Sequence, residues 1–298
     1  MELNYIVMTK DNNKAIKDIL ISKFKISHRL LTTLKKQNAI FLNDEPTFIY
    51  KNVQVNDKIT ISFDYQEDNS NIISLQMPLN IIYEDDWLLV VNKPAGIPVH
   101  PSIEHYYNSL SSGVKFYFDQ LGLKKKIRPV NRIDRNTSGI VIFAKNEYLQ
   151  EILIRQMQTG EFSKKYIAIV GGILEEKQTT IDKPISRKLP SIMEREVNEN
   201  GEKAITHYKV KYENKDLNLS VIEIKLETGR THQIRVHTKY IGHPILGDDL
   251  YDNPSALINR QALHSYNVSF THPILNENVN LTAEIPEDMK LIIEKIKS

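Results

Sequence analysis

The chain has no cysteine among its 298 residues. Disulfide bonds, zinc sites with cysteine ligands and thiol nucleophiles are therefore excluded. It also has no apolar run of membrane-spanning length, and residues 1–5 lack the basic segment and apolar core with which a signal peptide begins. We therefore expect a cytoplasmic protein that does not contact a membrane.

Sequence motifs for cofactors and metals are missing as well. The chain has no glycine-rich loop of the kind that cradles phosphates. His232 and His237 are five positions apart, so a helix would place them on different faces and we predict no metal site there. The hydrophobic share of 41% and the charged share of 26% are ordinary for a soluble globular protein. We expect a protein that needs neither a cofactor nor a metal.

Positive charge is concentrated near the start of the chain. Residues 12–60 carry nine lysine and arginine residues against four acidic ones, a net charge of +5, whereas the whole chain has +2. This asymmetry is typical of a module that faces nucleic acid. The residues that we expect to contact the nucleic acid are Lys23, Lys25, Arg29, Lys35 and Lys36.

The basic region has the pattern of two short helices and a small sheet. Apolar residues recur at helical spacing within 16–24 and again within 30–34, and Ser27 stands where the second helix needs an N-cap. Alternating apolar residues within 53–63 predict strands. The alternative interpretation is a plain solvated helix face, which one-sided charge makes less favourable.

A change of composition predicts a domain boundary. Residues 65–79 are polar and without pattern, as in a linker. The length of the chain allows a small domain followed by a mid-sized one. We predict a small basic domain at 1–66, a linker at 67–79 and a second domain at 80–298.

The second domain mixes strands with a few helices. Apolar spacing predicts a helix at 147–159 that ends at Gly160, and strong alternation predicts a strand at 219–226. Residues 231–241 predict a short helix capped by Thr231. Residues 186–203 are polar and charged, which predicts an exposed loop or hairpin tip. A loop that grips RNA through phosphates and a solvated insertion fit this segment about equally.

One carboxylate stands between two arginines. Asp134 lies between Arg132 and Arg135, just before an apolar segment at 139–144 that predicts a buried strand. Positive charge nearby favours an ionised carboxylate, which is what a nucleophile or an electrostatic stabiliser requires. By spacing alone a solvated turn with local ion pairs is the better interpretation.

Further sequence segments favour a functional role for Asp134 over a solvated turn. Arg132-Ile133-Asp134 with Thr137-Ser138-Gly139, together with Gly229-Arg230-Thr231-His232-Gln233-Ile234-Arg235, resembles the RluA family of RNA pseudouridine synthases. This resemblance rests on five motifs that follow one another in the family's order. Together they cover the chain from about residue 80 to its end. The other motifs are Val91-Asn92-Lys93-Pro94-Ala95-Gly96, Lys165-Tyr166-Ile167-Ala168-Ile169-Val170-Gly171, and Ala262-Leu263-His264-Ser265 with Phe270-Thr271-His272-Pro273.

The resemblance implies a fold and an activity. It implies an α+β fold, in which a mixed, mainly antiparallel sheet carries flanking helices and loops. It also implies an isomerase that breaks the bond between uracil and ribose, turns the base and rejoins it through carbon. The N-terminal region is similar to the small α/β-type RNA-binding domain of ribosomal protein S-four, through Ser27-His28-Arg29-Leu30-Leu31 and Val55-Asn56-Asp57-Lys58-Ile59.

The resemblance also implies roles for single residues. Asp134 would attack, Arg235 would hold it through a paired planar contact, and Tyr166 would supply a flat surface and an acid or base. Arg132 would fill the place that the flipped uridine leaves. Asn131 would contact the substrate, although the family usually has histidine at this position.

Other classes of function stay open on the residues alone. A retaining glycosidase also uses a carboxylate nucleophile, but it needs a second catalytic carboxyl nearby, and no motif supplies one. A non-catalytic RNA-binding protein could dispense with Asp134, Tyr166 and Arg235. The favoured substrate is large-subunit ribosomal RNA, with transfer RNA as the alternative, and we expect a monomer.

Overall fold

The computed structural model describes residues 1–101 and 107–298. Its N-terminal part is a small antiparallel sheet with two helices. The strands are β1 (Glu2–Ile6), β2 (Ile40–Leu42), β3 (Glu45–Pro46) and β4 (Lys58–Ser62), and the helices are α1 (Ile16–Ser22) and α2 (His28–Lys36), with a 3₁₀ turn at Thr9–Asp11. The strand order is β1-β4-β2-β3.

Helix α2 begins where the sequence predicts. The Ser27 hydroxyl accepts a hydrogen bond from the Leu30 backbone N–H at 3.1 Å, which is N-cap geometry. The helix buries Leu30, Leu31 and Leu34 against the small sheet. The predicted N-cap is confirmed, because both the capping residue and the apolar stripe are local signals.

The C-terminal part combines a large sheet with four flanking helices among the described residues. Its helices are α3 (Leu110–Gln120), α4 (Glu147–Thr159), α5 (Gln233–Tyr240) and α6 (Glu287–Lys297). Its strands are β5 (Ile81–Glu84), β6 (Leu88–Lys93), β7 (Arg128–Pro129), β8 (Ser138–Ala144), β9 (Ser163–Gly171), β10 (Gln178–Asp182), β11 (Ile185–Arg187), β12 (Arg195–Val197), β13 (Ile205–Asn214), β14 (Leu219–Leu226), β15 (Leu263–Thr271) and β16 (Asn278–Thr282).

The large sheet has the order β10-β13-β14-β9-β15-β8-β6-β5, with β7 beside β8 and β16 beside β15. Its strand pairs are antiparallel except for β15 and β8, which run parallel. Gly139 permits this parallel approach: it has a φ of +118°, and a Cβ there would lie 2.2 Å from the Ser265 carbonyl oxygen. The predicted α+β class with a mixed, mainly antiparallel sheet is confirmed.

The core lies on both faces of this sheet. Helix α3 covers one face of β6 and β8, whereas α4 and the N-terminal part cover the other. Helix α6 packs on β13 and β14. No helix in the described ranges 1–101 and 107–298 is long and apolar enough to cross a bilayer.

The two parts of the chain share core contacts. The Phe63 ring stacks on Tyr148 with the centroids 5.8 Å apart, and it meets Trp87 edge-on at 6.1 Å. Residues 67–79 contain no helix or strand, yet Glu67 forms an ion pair with Arg128 in which both side chains are 9% exposed. The segment predicted as a linker is therefore anchored to the C-terminal part. The division at 1–66, 67–79 and 80–298 stays a prediction.

Local patterns for three C-terminal elements hold to different degrees. The helix at 147–159 is confirmed with its end at Gly160, which has a φ of +80°. The 186–203 segment forms most of the β11–β12 hairpin, whose first residue is Ile185. The helix predicted at 231–241 is shorter, Gln233–Tyr240, and Thr231 does not cap it. His232 occupies the N-cap with a φ of +57° and makes no side-chain cap hydrogen bond.

Candidate active site

A cavity of about 610 Å³ opens at the centre of the large sheet. Most of its polar lining comes from the loop between β7 and β8, from strand β9, and from the segment that leads into α5, and the rest of the wall is formed by residues 98–101, Met157, Leu226 and Leu263. The volume falls within the range of about 300–1,000 Å³ that small-ligand sites occupy. The cavity brings together Asp134, Tyr166 and Arg235, which are far apart in the sequence.

Asp134 sits on a tight turn. Its carbonyl oxygen accepts the Thr137 backbone N–H at 3.1 Å, and its side chain is 31% exposed. The buried Lys93 ammonium lies beneath this turn and donates to the carbonyl oxygens of Pro94, Ile97 and Arg135 at 2.8–2.9 Å. Burial lowers the pKa of Lys93 to about 7. Lys93 therefore ties the opening loop of the C-terminal part to the turn that carries Asp134.

Arg235 projects from α5 toward two carboxylates. Its Nε and Nη2 donate to the two oxygens of Asp248 at 2.7 Å each, and its Nη1 donates to Asp134 Oδ2 at 3.3 Å. Burial acts to lower the pKa of Arg235, but the carboxylates outweigh it and raise the pKa. The contact expected between Arg235 and Asp134 exists, but as a single hydrogen bond. The paired planar contact is made with Asp248.

Asp248 is fully buried and belongs to the same network. Its Oδ1 also accepts the backbone N–H groups of Leu250 and Tyr251 at 3.2 Å. The preceding Gly247 has a φ of +73°, and a Cβ there would lie 2.5 Å from the Arg260 carbonyl oxygen. This glycine allows the chain to turn so that Asp248 reaches Arg235.

Tyr166 lies on β9 and lines the cavity with an exposure of 5%. Burial raises the pKa of Tyr166 to about 12, and the charge of Asp134 acts in the same direction. The phenol is therefore protonated at neutral pH. It can offer its ring face and a hydroxyl proton to a bound base.

His232 lies beside Asp134 at the N-terminus of α5. Its Nε2 is 3.9 Å from Asp134 Oδ2, and its Nδ1 is 3.0 Å from the Tyr251 hydroxyl. Tyr251 in turn accepts the Arg195 backbone N–H at 2.8 Å and lies under the Arg235 guanidinium, 4.9 Å from its carbon Cζ. The β11–β12 hairpin is thus connected to the cavity through Tyr251.

Asn131 and Arg132, the two polar residues just ahead of Asp134, differ in environment. Arg132 is exposed, lines the cavity and makes no hydrogen bond or ion pair with the part of the chain that the structure describes. Asn131 is 5% exposed, and its amide donates to the Ile140 carbonyl and accepts the Ile142 N–H, both at 2.9 Å. The Asn131 amide therefore holds the loop to β8, and its polar atoms are already engaged.

The basic N-terminal residues do not all share one surface. The five predicted RNA contacts, Lys23, Lys25, Arg29, Lys35 and Lys36, are all exposed. Arg29 pairs with Glu147 of α4 at 3.2 Å, and the Lys25 carbonyl accepts a hydrogen bond from Arg155 of the same helix. Lys23 lies over the Tyr5 ring at 3.8 Å. Lys35 and Lys36 project from the last turn of α2. Arg29 and Lys25 thus lie at the junction with α4, which leaves the α2 end as a separate basic surface.

Several site residues were missed by sequence reasoning. Asp248 and Tyr251 follow the Gly242–Gly247 segment, and only the buried pairing with Arg235 reveals them. Lys164 lines the cavity two residues before Tyr166, and strand alternation could have placed both on one face. Burial lowers the pKa of Lys164. Within residues 1–101 and 107–298, no group of three or more histidine and acidic side chains is placed to hold a metal.

Comparison with known proteins agrees with the site. The family model described as RNA pseudouridylate synthase matches residues 87–240, which include Asp134, Tyr166 and Arg235. The chain is 37% identical to the uncharacterized RNA pseudouridine synthase YjbO of Bacillus subtilis over 270 residues, which cover 90% of this chain and 95% of that protein. It is 34% identical to the ribosomal large subunit pseudouridine synthase D of Neisseria meningitidis, over 91% of this chain and 75% of that protein.

A solved structure is similar in fold. The human protein named RNA Pseudouridylate Synthase Domain Containing 4 aligns with a TM-score of 0.59 and 22% identity, over 73% of this chain and 92% of that chain. The alignments with these sequence relatives cover more of this chain than the family model, which matches residues 87–240. The chain belongs to the RNA pseudouridylate synthase family.

Proposed function

We propose that this pseudouridine synthase acts on a uridine of large-subunit ribosomal RNA, with Asp134 as the attacking carboxylate. The observation that carries the catalytic assignment is the position of Asp134: it is partly exposed in the cavity, bonded to Arg235 and faced by the buried Tyr166. The ribosomal target is supported by relatives named for the large ribosomal subunit.

The reaction is an isomerisation, so atoms must balance within the substrate. The bond between N1 and the sugar breaks, the uracil turns, and its C5 bonds to the sugar. The C5 proton then leaves, and N1 carries a proton. If Asp134 attacks the sugar carbon as the bond to N1 breaks, the bond that it forms is broken again when C5 bonds to that carbon; without attack, the carboxylate stabilises the positive charge of the sugar. Arg235 orients the carboxylate through its hydrogen bond.

Tyr166 would act beside the base. Because its phenol is protonated at neutral pH, it serves as a hydrogen-bond donor and as a flat surface for the uracil. Acting as a base toward C5 would first require the loss of its own proton. Arg132, exposed at the rim, would occupy the space left by an extruded uridine.

Among the described residues, no carboxyl besides Asp134 lines the cavity, whereas a retaining glycosidase needs two. Asp248 accepts two N–H groups from Arg235 and is fully buried, so it cannot protonate a leaving group. The basic N-terminal residues would contribute phosphate contacts, which require no particular RNA sequence.

The target can be tested by comparing pseudouridine maps of ribosomal and transfer RNA from cells with and without the gene. We expect loss of a site in large-subunit ribosomal RNA, restored by the wild-type gene and not by Asp134→Asn. A missing transfer RNA site would redirect the substrate assignment. Unchanged maps in both RNAs would contradict the proposal.

A further inference from the structure

The imidazole of His232 occupies a cavity position that the assigned roles leave unused. Its side chain is 14% exposed, and it lies on the cavity wall with Asp134, Tyr166 and Arg235. The backbone φ of +57° is costly for a residue other than glycine. The N-caps of α2, α3 and α4 are instead extended residues whose side chains accept a backbone N–H, so His232 leaves its imidazole free of the capping role.

The hydrogen bonds around His232 favour one of its two neutral tautomers. The Tyr251 hydroxyl oxygen accepts the Arg195 backbone N–H at 2.8 Å, and a backbone N–H cannot accept a proton in return. Tyr251 is 4% exposed, and among the described residues His232 Nδ1, 3.0 Å away, is the one acceptor within hydrogen-bond reach of its hydroxyl, so the buried hydroxyl proton is satisfied when it points to Nδ1. An imidazole that accepts at Nδ1 carries its proton on Nε2.

The proton on Nε2 then faces the cavity. The distance of 3.9 Å to Asp134 Oδ2 is too long for a hydrogen bond, and Nε2 makes none with the described residues. Burial lowers the pKa of His232 against the pull of Asp134, with Arg235 and Arg195 acting in the direction of burial. The ring is therefore a neutral donor whose Nε2–H has no acceptor among the residues that the structure describes.

The isomerisation creates a need for such a donor. When the bond to the sugar breaks, its electron pair stays on the uracil, and the negative charge spreads to the carbonyl oxygens. A fixed neutral N–H stabilises this charge without forming a permanent ion pair with Asp134, as donors aimed at a developing anion do in other enzymes. Arg235 is unsuited to this role, because three of its nitrogens already contact carboxylates.

We propose that His232 is a further catalytic residue whose Nε2–H donates a hydrogen bond to a carbonyl oxygen of the detached uracil. Tyr251 is the positioning residue that fixes the required tautomer. This inference rests on the proposed isomerisation of uridine by Asp134. It involves no covalent change in the protein, and the proton stays on His232 throughout.

A matched pair of variants tests the donor. His232→Gln keeps an N–H at about the reach of Nε2, and His232→Met has the same length and the same backbone preference without any donor. We expect the single-turnover rate on transcribed large-subunit ribosomal RNA to fall about 100-fold or more for His232→Met. His232→Gln should recover at least about 10-fold of that loss, with RNA affinity alike in both. Equal rates for the two variants would overturn the proposal.

A second cycle tests Tyr251. Tyr251→Phe should slow the wild-type enzyme by about 10-fold or more, because the imidazole can then adopt the wrong tautomer. In the His232→Gln background it should cost little, since an amide has no tautomer to select. Equal losses in both backgrounds would assign Tyr251 a structural role only and overturn its proposed control of the His232 tautomer. This cycle decides the question even if His232→Met fails to fold.

A substrate change locates the acceptor. RNA transcribed with 2-thiouridine or 4-thiouridine carries sulfur, a weaker acceptor, in place of one carbonyl oxygen. One of the two should slow the wild type more than His232→Met, as judged by chromatography of the digested RNA. If each analogue slows the wild type and His232→Met by the same factor, His232 does not touch the base. Failure of the wild type on unmodified ribosomal and transfer RNA would instead refute the proposed function.

Discussion

Asp248 receives two hydrogen bonds of 2.7 Å from the Arg235 guanidinium, which then has one nitrogen left for Asp134 at 3.3 Å. The planar, paired geometry that distinguishes arginine from lysine is therefore used to anchor Arg235. Asp134 benefits indirectly, because an anchored guanidinium presents its remaining N–H in a fixed direction. A partly exposed carboxylate is thus oriented by a buried ion pair.

Replacing Asp134 with asparagine should abolish isomerisation and leave RNA binding intact. Asparagine has nearly the same size but neither the charge nor the nucleophilicity of the carboxylate. Pseudouridine formation under single-turnover conditions and the dissociation constant for RNA are the two measurements. Turnover above a trace would remove Asp134 from the role of attacking group.

The Arg235 anchor predicts a contrast between two neighbouring aspartates. Asp248→Asn should lower the free energy of unfolding by about 3 kcal/mol, since it leaves a buried guanidinium incompletely paired. Asp249→Asn is the matched control: its carboxylate is 71% exposed and 3.9 Å from Arg235, so we expect a change within about 0.5 kcal/mol. Denaturant titration measures both. Equal effects would show that the buried pair does not anchor the site.

Arg235→Lys should cost much of the activity. A lysine ammonium keeps the charge but cannot hold both Asp248 oxygens and reach Asp134 from fixed directions. The single-turnover rate should fall strongly at unchanged RNA affinity. Near-normal rates would mean that Asp134 does not depend on a fixed guanidinium.

Tyr166 can be tested by separating its hydroxyl from its ring. Tyr166→Phe should lower the single-turnover rate by about 100-fold if the hydroxyl moves or shares a proton. Tyr166→Leu removes the flat surface as well and should be slower still. If phenylalanine works nearly as well as tyrosine, only the ring matters, and equal activity of Phe and Leu would make the residue structural.

His264 predicts a pH dependence of stability. It is fully buried next to the Ser138 hydroxyl, and burial lowers its pKa to about 4. The unfolded chain therefore binds a proton between about pH 6.5 and 4 that the native state does not, and stability falls as the pH drops through this window. The advantage of wild type over His264→Gln should shrink by roughly 3 kcal/mol between pH 7 and pH 4. A constant difference would contradict the assignment.

RNA contacts of the N-terminal part are best tested by substitution. Removing residues 1–66 would strip Phe63 from Tyr148 and Trp87, so we expect that truncation to destabilise the remainder. Lys35→Gln with Lys36→Gln should lower the salt dependence of RNA binding by about one unit for each lost phosphate contact. Lys290→Gln with Lys295→Gln on α6 removes the same charge and should leave the slope unchanged. Equal slopes for both pairs would show that the α2 end does not bind RNA.

Local signals were sufficient for helices α2 and α4 and for the family, whereas the start of α5 and its cap were predicted wrongly. Helix α4 begins after the Asn146 cap and ends at Gly160 because both signals act within one turn of the helix. The resemblance identified Asp134, Tyr166 and Arg235, since each stands in an ordered motif. These parts depend only on neighbouring residues, which the sequence displays directly.

The pairing of charges was decided by the tertiary structure alone. Arg235 meets Asp134 across 101 residues and Asp248 across 13, and no local pattern states which carboxylate receives the planar contact. The tautomer of His232 likewise depends on Tyr251 and on a backbone N–H from a separate hairpin. The physical reason is that buried charges and donors must find partners wherever the packed chain brings them, whatever their distance along the sequence.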